Sequence, residues 1–561
     1  MQVATEGSKR AIRIPAIAGL LLALSIGAFC YAPALHAFFA QDDFAFLALV
    51  RLLHQPWLLF VHDHFPASLY FRPLGVFVWW VVCAFAGPAA GPQYAVNLLL
   101  HLGCVAALYS LLQRMQRDAW RNALWSALYA AHPLAVGTAL WLSDRFDLMT
   151  TLFSLVAVNA ALAYCARPRV RTLALILAVL LFGLLSKELG VVGSAAAFAA
   201  VALAPRRSLD VRQRATALAA IGALTLAWLA YRHMMLTPIP GAGTLMVAPA
   251  IFIEGCWRWV RTGVEFLAYD PRLPGWALVV MAAAFALWLG AAVATRFTQR
   301  SEGSRWHAVA AVATLALLPG FVQAPVAVRH LGDIDAQTYG FALIVASRFY
   351  HLALAGLVCA LMLASSPIVA RTAARGAPRL ATILALALML IALAPASQRL
   401  AHTHASETRK QIAPVQALEG AISRIAPPDH ACQIYVLGAS AISGMSGYSD
   451  AIAKGVSDDP ARIAHCLVTT ERPPFTYFVR TGRVEPQDYQ PLRPLSILGN
   501  VVPWLRIGDA ETMYLTMGEG FASALPAQAI FLEYRDGAFV DVGGAVRSGE
   551  RKIDFAATKA N

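Results

Sequence analysis

PLGVFVWWVVCAFA, residues 73–86, is the stretch on which the threading of the whole chain turns. It is apolar but short of the roughly 20 residues that cross a bilayer. Two tryptophans sit in it, Pro73 opens it and GPAAGP (87–92) closes it. Those features predict a helix lying in the interface, with aromatic rings at headgroup depth. Making it a span would invert every later loop, and the arginines test that choice.

Upstream lies QDDFAFLALVRLLHQPWLLFVHDHFPASLYFRP (41–73). It opens on adjacent carboxylates, Asp42 and Asp43, and gathers His54, His62, Asp63, His64, Tyr70 and Arg72. The surrounding composition makes this cluster informative. The 561 residues are 58% hydrophobic and only 14% charged, which places the chain among polytopic membrane proteins. Titratable groups crowded at a membrane edge are costly and mark function.

A first helix over about 14–33 follows Lys9, Arg10 and Arg13, which favour the cytoplasmic side. The acidic loop then emerges outside. Further spans are expected at about 94–112, 122–141, 148–165, 172–185, 189–204, 215–233, 275–295, 306–326, 349–366 and 380–396, with an outer loop over 234–274. Arg114, Arg117 and Arg121 then fall inside, as do Arg167, Arg169 and Arg171, and Arg206, Arg207, Arg212 and Arg214. So do Arg296, Arg300 and Arg305, and Arg371, Arg375 and Arg379. The acidic and histidine-bearing loops all fall outside, as the positive-inside rule requires. The expected architecture is a polytopic α-helical membrane protein of about 11 transmembrane helices, with interfacial helices in the first outer loop, about 34–93. Its expected address is a bacterial inner membrane, N-terminus in the cytoplasm.

The chain changes character near residue 400. Residues 405–425 read as an amphipathic helix, and CQIYVLG (432–438) and AIFLEY (529–534) as short strands. A membrane part over 1–399 and a small α/β periplasmic domain over 400–561 follow. Six cysteines lie in or beside apolar runs as small hydrophobes. Cys432 and Cys466 lie in the tail, where a disulfide between them is open.

Asp42 or Asp43 is placed either to take a proton from an acceptor hydroxyl or to help hold a divalent cation against a phosphate. Their mutual repulsion suits one residue to each task. The alternative for the pair is a helix N-cap. His62-Asp63-His64 suits zinc chemically, but interfacial histidines bonded to water or headgroups account for the pattern better, and no metal is assigned. The outward cations Arg72, Arg145, Lys187, Arg329 and Arg348 together suit a phosphate pocket. Pairing with Asp144, Asp147 or Glu188 is the alternative for each of them. Inside the third span, His132-Pro133 predicts a kink. His101 beside Asn97 is an intramembrane polar pair, either interhelical glue or a pocket wall.

Five ordered stretches carry a resemblance. They are YFRPL (70–74), NLLLH (97–101), AHPLAVGTALWLSDRFDLM (131–149), SKELGV (186–191) and ASRFYHLALAG (346–356). With the acidic pair after the first helix, they resemble the GT-C superfamily of lipid-linked-sugar glycosyltransferases. More narrowly they resemble the protein O-mannosyltransferase branch that includes the transmembrane TPR-repeat mannosyltransferases. The resemblance spans about residues 35–365 and implies a polyprenyl-phosphate sugar donor and transfer to a protein, lipid or glycan hydroxyl outside the cytoplasm. It makes Asp42 the base, with Asp43 beside it, and Arg72, Arg145, Lys187 and Arg348 donor-phosphate contacts. His62, His64, Tyr70, His132 and Glu188 are candidates for the acceptor pocket. The chain departs from the pattern at Gly137, where the family carries Glu, and at Asp144-Arg145, and it lacks the TPR array. Other readings are a surface-polysaccharide polymerase or ligase, and a transporter or flippase, against which the absence of internal repeats weighs. A membrane scaffold without activity is a further alternative.

Overall fold

Long apolar runs become long helices, several of which carry a proline inside, at Pro15, Pro319, Pro325 and Pro395. A computed structural model describes residues 6–53, 55–61, 71–236, 249–268, 275–297, 306–331, 346–365, 376–425, 432–437, 449–463, 466–470 and 530–550. Its principal helices are α1 (Glu6–Tyr31), α2 (Asp42–Leu52), α3 (Pro73–Ala86), α4 (Ala90–Met115), α5 (Ala119–Ala131) and α6 (Pro133–Leu140). There follow α7 (Arg145–Ala166), α8 (Val170–Ser186), α9 (Gly190–Ala202), α10 (Val211–Met235), α11 (Pro249–Ala268) and α12 (Gly275–Phe297). The series continues with α13 (Trp306–His330), α14 (His351–Ala364), α15 (Gly376–Arg409), α16 (Ile412–Ile425) and α17 (Ser449–Val456). Among the described residues, six helical stretches are long and apolar enough to cross a membrane, and α3, α8, α9 and α14 are shorter apolar helices. The protein is polytopic and α-helical.

Two expectations change. The span over 122–141 is not one helix. Pro133 has no N–H to bond back into the preceding turn, so α5 ends at Ala131 and α6 begins at Pro133. His132 stands between them in extended backbone, φ −74° and ψ 137°, and its Nδ1 accepts a hydrogen bond from the Leu134 N–H at 3.1 Å. Part of the loop expected over 234–274 is helical, as α11.

The chain divides into two compact units. The first comprises Met1–Leu35, Tyr94–Tyr231 and Met246–His404. Within it α1 packs on α5, α7 lies against both α8 and α9, and α13 contacts α9, α11 and α14. Three of its ion pairs join segments far apart in the chain. Asp118 caps α5 by accepting from the Arg121 N–H and also takes two bonds from Arg379, at 2.9 and 3.2 Å. Asp147 pairs with Lys187, and Asp144 with Arg348.

The second unit comprises His36–Gln93, Arg232–Leu245 and Ala405–Asn561. It holds a four-stranded sheet of β1 (Cys432–Leu437), β2 (Cys466–Thr470), β3 (Ile530–Arg535) and β4 (Ala538–Asp541), in the order β2-β1-β3-β4. β1 runs parallel to β2 and β3, and β4 is antiparallel to β3. Tyr435, Leu437, Phe531, Val542 and Val546 form a buried cluster on it. The register sets Cys432 opposite Cys466, and Cys466 is disulfide-bonded. The cysteines of the apolar runs are free thiols.

The helix that carries the acidic pair belongs to this second unit. α2 buries Phe44, Leu47, Ala48 and Leu49 and packs on α17. Arg51 closes the contact by donating from Nη1 to the carbonyls of Gly455, at 2.9 Å, and Ser457. There a guanidinium meets the last carbonyls of α17, where a cation is favoured. Gly455 permits the approach. A Cβ there would stand 3.2 Å from the Phe44 carbonyl oxygen and 3.3 Å from the Ala48 nitrogen. Gly455→Ala is therefore expected to destabilise the unit by about 1–3 kcal/mol. A lowered thermal midpoint with unchanged helical circular dichroism is the expected reading.

Candidate functional site

The two acidic residues are held differently, although they are neighbours. Asp43 is fully buried, and its Oδ2 accepts a hydrogen bond from the Ala40 N–H at 3.0 Å. Its carboxylate thus serves the entrance to α2, where the unbonded N–H groups favour a negative charge. Asp42 is only half-buried. Before them stands Gln41, with φ +48° and ψ −118°, a backbone conformation that L-residues rarely adopt. Strain of this kind costs on the order of 1–3 kcal/mol and is concentrated at functional positions. Gln41→Gly is expected to relieve it. The net gain is about 1 kcal/mol after the extra chain entropy of glycine, seen as a raised thermal midpoint.

In the first unit the short segment from Trp141 to Asp147 collects polar groups from three other places in the chain. Arg145, fully buried at the start of α7, donates from Nε to Asn97 Oδ1 of α4 at 2.7 Å. The Asn97 amide in turn donates to the Trp141 carbonyl at 3.3 Å. Lys187 Nζ, just past α8, lies 2.7 and 2.6 Å from the two oxygens of Asp147. Arg348 stands 3.8 Å from Asp144 Oδ1, with its guanidinium over the rings of Trp141 and Phe349 at 5.3 and 5.1 Å. Stacking and ion pairing together fix that guanidinium plane. Three cations and two aspartates therefore meet around one segment. Such an array offers anion-binding groups whose positions are set by ion pairs, a hydrogen bond and ring contacts.

Elsewhere in the same unit an aromatic and imidazole core joins five helices. Tyr129 OH lies 2.9 Å from His351 Nε2, and His351 Nδ1 lies 3.1 Å from Thr151 Oγ1. His101 stacks on Tyr129 and meets the edge of Tyr31. Hydrogen bonds thus join α5, α7 and α14, and ring contacts add α1 and α4.

Arg145, Lys187 and Arg348 are thus drawn into one cluster of the first unit. Glu188, half-buried, is next to Lys187 in the chain. His132 is buried, and its Nδ1 is engaged in capping α6. Asp42, Asp43 and Arg72 belong to the second unit, where Arg72 directly precedes α3 and is half-buried. His62, His64 and Tyr70, with His54 and Asp63, lie outside the described residues. Arg329 falls in α13, outside the described side chains. Among the described residues no group of three or more His, Cys, Asp or Glu side chains is placed to hold a metal ion. Sequence reasoning weighed Asp144 and Asp147 only as alternatives to a phosphate; in the structure they hold two of the cations. It assigned nothing to Trp141 or His351. The signal for His351 was present, since it stands three residues after Arg348 in a stretch already singled out.

No protein-family profile and no curated protein matches the chain. Among solved structures it is similar to ArnT from Cupriavidus metallidurans in the apo state, at 11% identity and a TM-score of 0.46, over 95% of this chain and 94% of that one. The same protein bound to undecaprenyl phosphate aligns at 11% identity and a TM-score of 0.44, over 94% and 97% of the two chains. The Archaeoglobus fulgidus oligosaccharyltransferase in complex with Zn and sulfate aligns at 12% identity and a TM-score of 0.44. That match covers 82% of this chain and 62% of the archaeal one.

Proposed function

We propose that the protein is a membrane glycosyltransferase that moves a sugar from a polyprenyl-phosphate donor to an acceptor hydroxyl at the periplasmic face of a bacterial inner membrane. The observation that carries this reading is the cluster of Arg145, Lys187 and Arg348 around Trp141–Asp147, in a unit built otherwise of apolar helices. Buried cations in membrane helices mark a substrate site, and guanidinium and ammonium groups held in place suit a phosphate. Residues 1–399 form the membrane part and residues 400–561 a periplasmic domain, and the N-terminus is cytoplasmic. From the sequence, His62, His64, Tyr70, His132 and Glu188 are proposed as acceptor contacts and Arg72 as a donor contact.

The reaction is an inverting displacement. Asp42 takes the acceptor's proton, the acceptor oxygen bonds to C1 of the sugar, and the bond from C1 to the phosphate oxygen breaks. The electron pair leaves with the polyprenyl phosphate, whose negative charge the three cations meet. A lipid phosphate is a good leaving group, so positioning and charge stabilisation supply most of the barrier reduction. The acidic pair suits this division of labour, since Asp43 is occupied at the helix entrance and Asp42 is half-buried.

The test is mass spectrometry of surface glycans and periplasmic glycoproteins in cells lacking the gene, complemented with the wild-type chain. A sugar lost on deletion and restored on complementation is expected, and its attachment names the acceptor. On deletion the lipid-linked sugar is expected to accumulate on the periplasmic leaflet; loss of the sugar with accumulation on the cytoplasmic leaflet would replace this reading with that of a flippase.

A further inference from the structure

Helix α11 divides its surface into three sectors. Ile253, Trp257, Val260 and Val264 recur at intervals of four, three and four residues and form one stripe between 49% and 67% exposed. The side away from the stripe is packed. Thr262 is buried, a Cβ at Gly255 would fall 1.9 Å from the Ala324 carbonyl oxygen of α13, and one at Gly263 would meet the Tyr350 ring at 2.8 Å. Between these two sectors, on one flank only, run Glu254, Arg258 and Arg261, with Arg258 Nε donating to Glu254 Oε1 at 2.7 Å. A helix of 20 residues is long enough to cross a bilayer. Crossing would carry those three charges through the hydrocarbon beside an exposed apolar stripe, at high cost. Lying flat puts the stripe against acyl chains and the charged flank among headgroups, with the third sector against the protein.

We propose that α11 lies in the plane of the membrane surface, and that the occupant of its exposed stripe is the lipid at the acyl–headgroup boundary. The helix also sets the depth of a neighbouring cation. Trp259 Nε1 donates to the Phe349 carbonyl at 3.2 Å, and Tyr350 OH donates to the Trp259 carbonyl at 2.6 Å. Both partners directly follow Arg348. A surface-bound α11 therefore holds Arg348 at the level of lipid phosphates, where the phosphate of a lipid-linked donor arrives. This last step rests on the proposed function; the orientation of α11 does not.

The experiment places a nitroxide amino acid at residue 253, 257, 260 or 264, one at a time, in the full chain. The chain is reconstituted in nanodiscs of phosphatidylethanolamine and phosphatidylglycerol. Power saturation with oxygen and with a nickel chelate reads the depth of each label. All four positions are exposed, so the labels displace no packed side chain. The expected result is four depths that agree within a few ångströms, with oxygen access exceeding nickel access. A spanning helix would instead change depth by about 16 Å between positions 253 and 264. Such a gradient overturns the proposal, and so does nickel access exceeding oxygen access at all four labels. No donor is present in the discs, so the outcome is independent of whether the glycan test succeeds.

Discussion

Asp42→Asn is expected to leave the protein folded and to reduce sugar transfer by about 10²–10⁴-fold, the range of a general base. The substitution keeps the size and removes the proton acceptor. Asp42 is half-buried and stands at the first turn of α2, whose packing face is formed by Phe44, Leu47 and Ala48. Asp43→Asn separates the two carboxylates. Asp43 is fully buried, and its Oδ2 receives the Ala40 N–H. Weakening a charge-assisted bond at a helix entrance costs about 1 kcal/mol or more, so this variant is expected to lower the thermal midpoint. The check is transfer to the acceptor found by mass spectrometry, with thermal unfolding of each purified variant. Full transfer by Asp42→Asn would remove Asp42 from the mechanism. A fall in its midpoint equal to that of Asp43→Asn would make the pair structural.

The long apolar runs were legible because composition alone determines what a bilayer-length segment does. PLGVFVWWVVCAFA was legible as a short helix for the complementary reason, since proline and glycine bound it. α11 was not. Glu254, Arg258 and Arg261 interrupt its hydropathy at intervals that one helix face accommodates, so a window average reads a loop where periodicity reads an amphipathic helix. The third expected span contained its own warning in His132-Pro133, but a kink and a break look alike in sequence. His132 makes it a break, because its ring caps the next helix. In the tail, CLVTT and AFVD are too short to show alternation, and β2 and β4 exist through pairing with β1 and β3.

The cations illustrate a different limit. Arg145, Lys187 and Arg348 stood out because the expected topology sets them on the outer side, against the positive-inside bias. Which carboxylate meets which cation is a tertiary fact. Lys187 is forty positions from Asp147 and Arg348 is far beyond Asp144, so no local spacing rule connects them. The same holds for Arg51 and the carbonyls of Gly455 and Ser457, through which the acidic helix becomes part of a domain formed by the end of the chain.

Lys187→Met is expected to destabilise the first unit by about 3–5 kcal/mol, because it leaves Asp147 buried without its ammonium partner. Asp147 is 2% exposed and Lys187 13%, and both carboxylate oxygens lie within 2.7 Å of Nζ. Water therefore does little to replace the lost cation. Lys187→Met combined with Asp147→Asn removes both charges and the desolvation cost of each, so the double variant is expected to recover most of the thermal midpoint. Its function separates two roles for the lysine. If Lys187 serves only to satisfy Asp147, the double variant transfers sugar like the wild type. If Lys187 also meets the donor phosphate, the double variant is stable but has lost an ammonium from the anion site. The second outcome is expected: a raised KM for the lipid-linked donor, about tenfold or more for one charge-assisted contact, with the acceptor KM unchanged. Thermal unfolding in detergent and donor titrations on the two variants check this. A double variant with wild-type donor KM would confine Lys187 to a structural role and leave Arg145 and Arg348 to hold the phosphate.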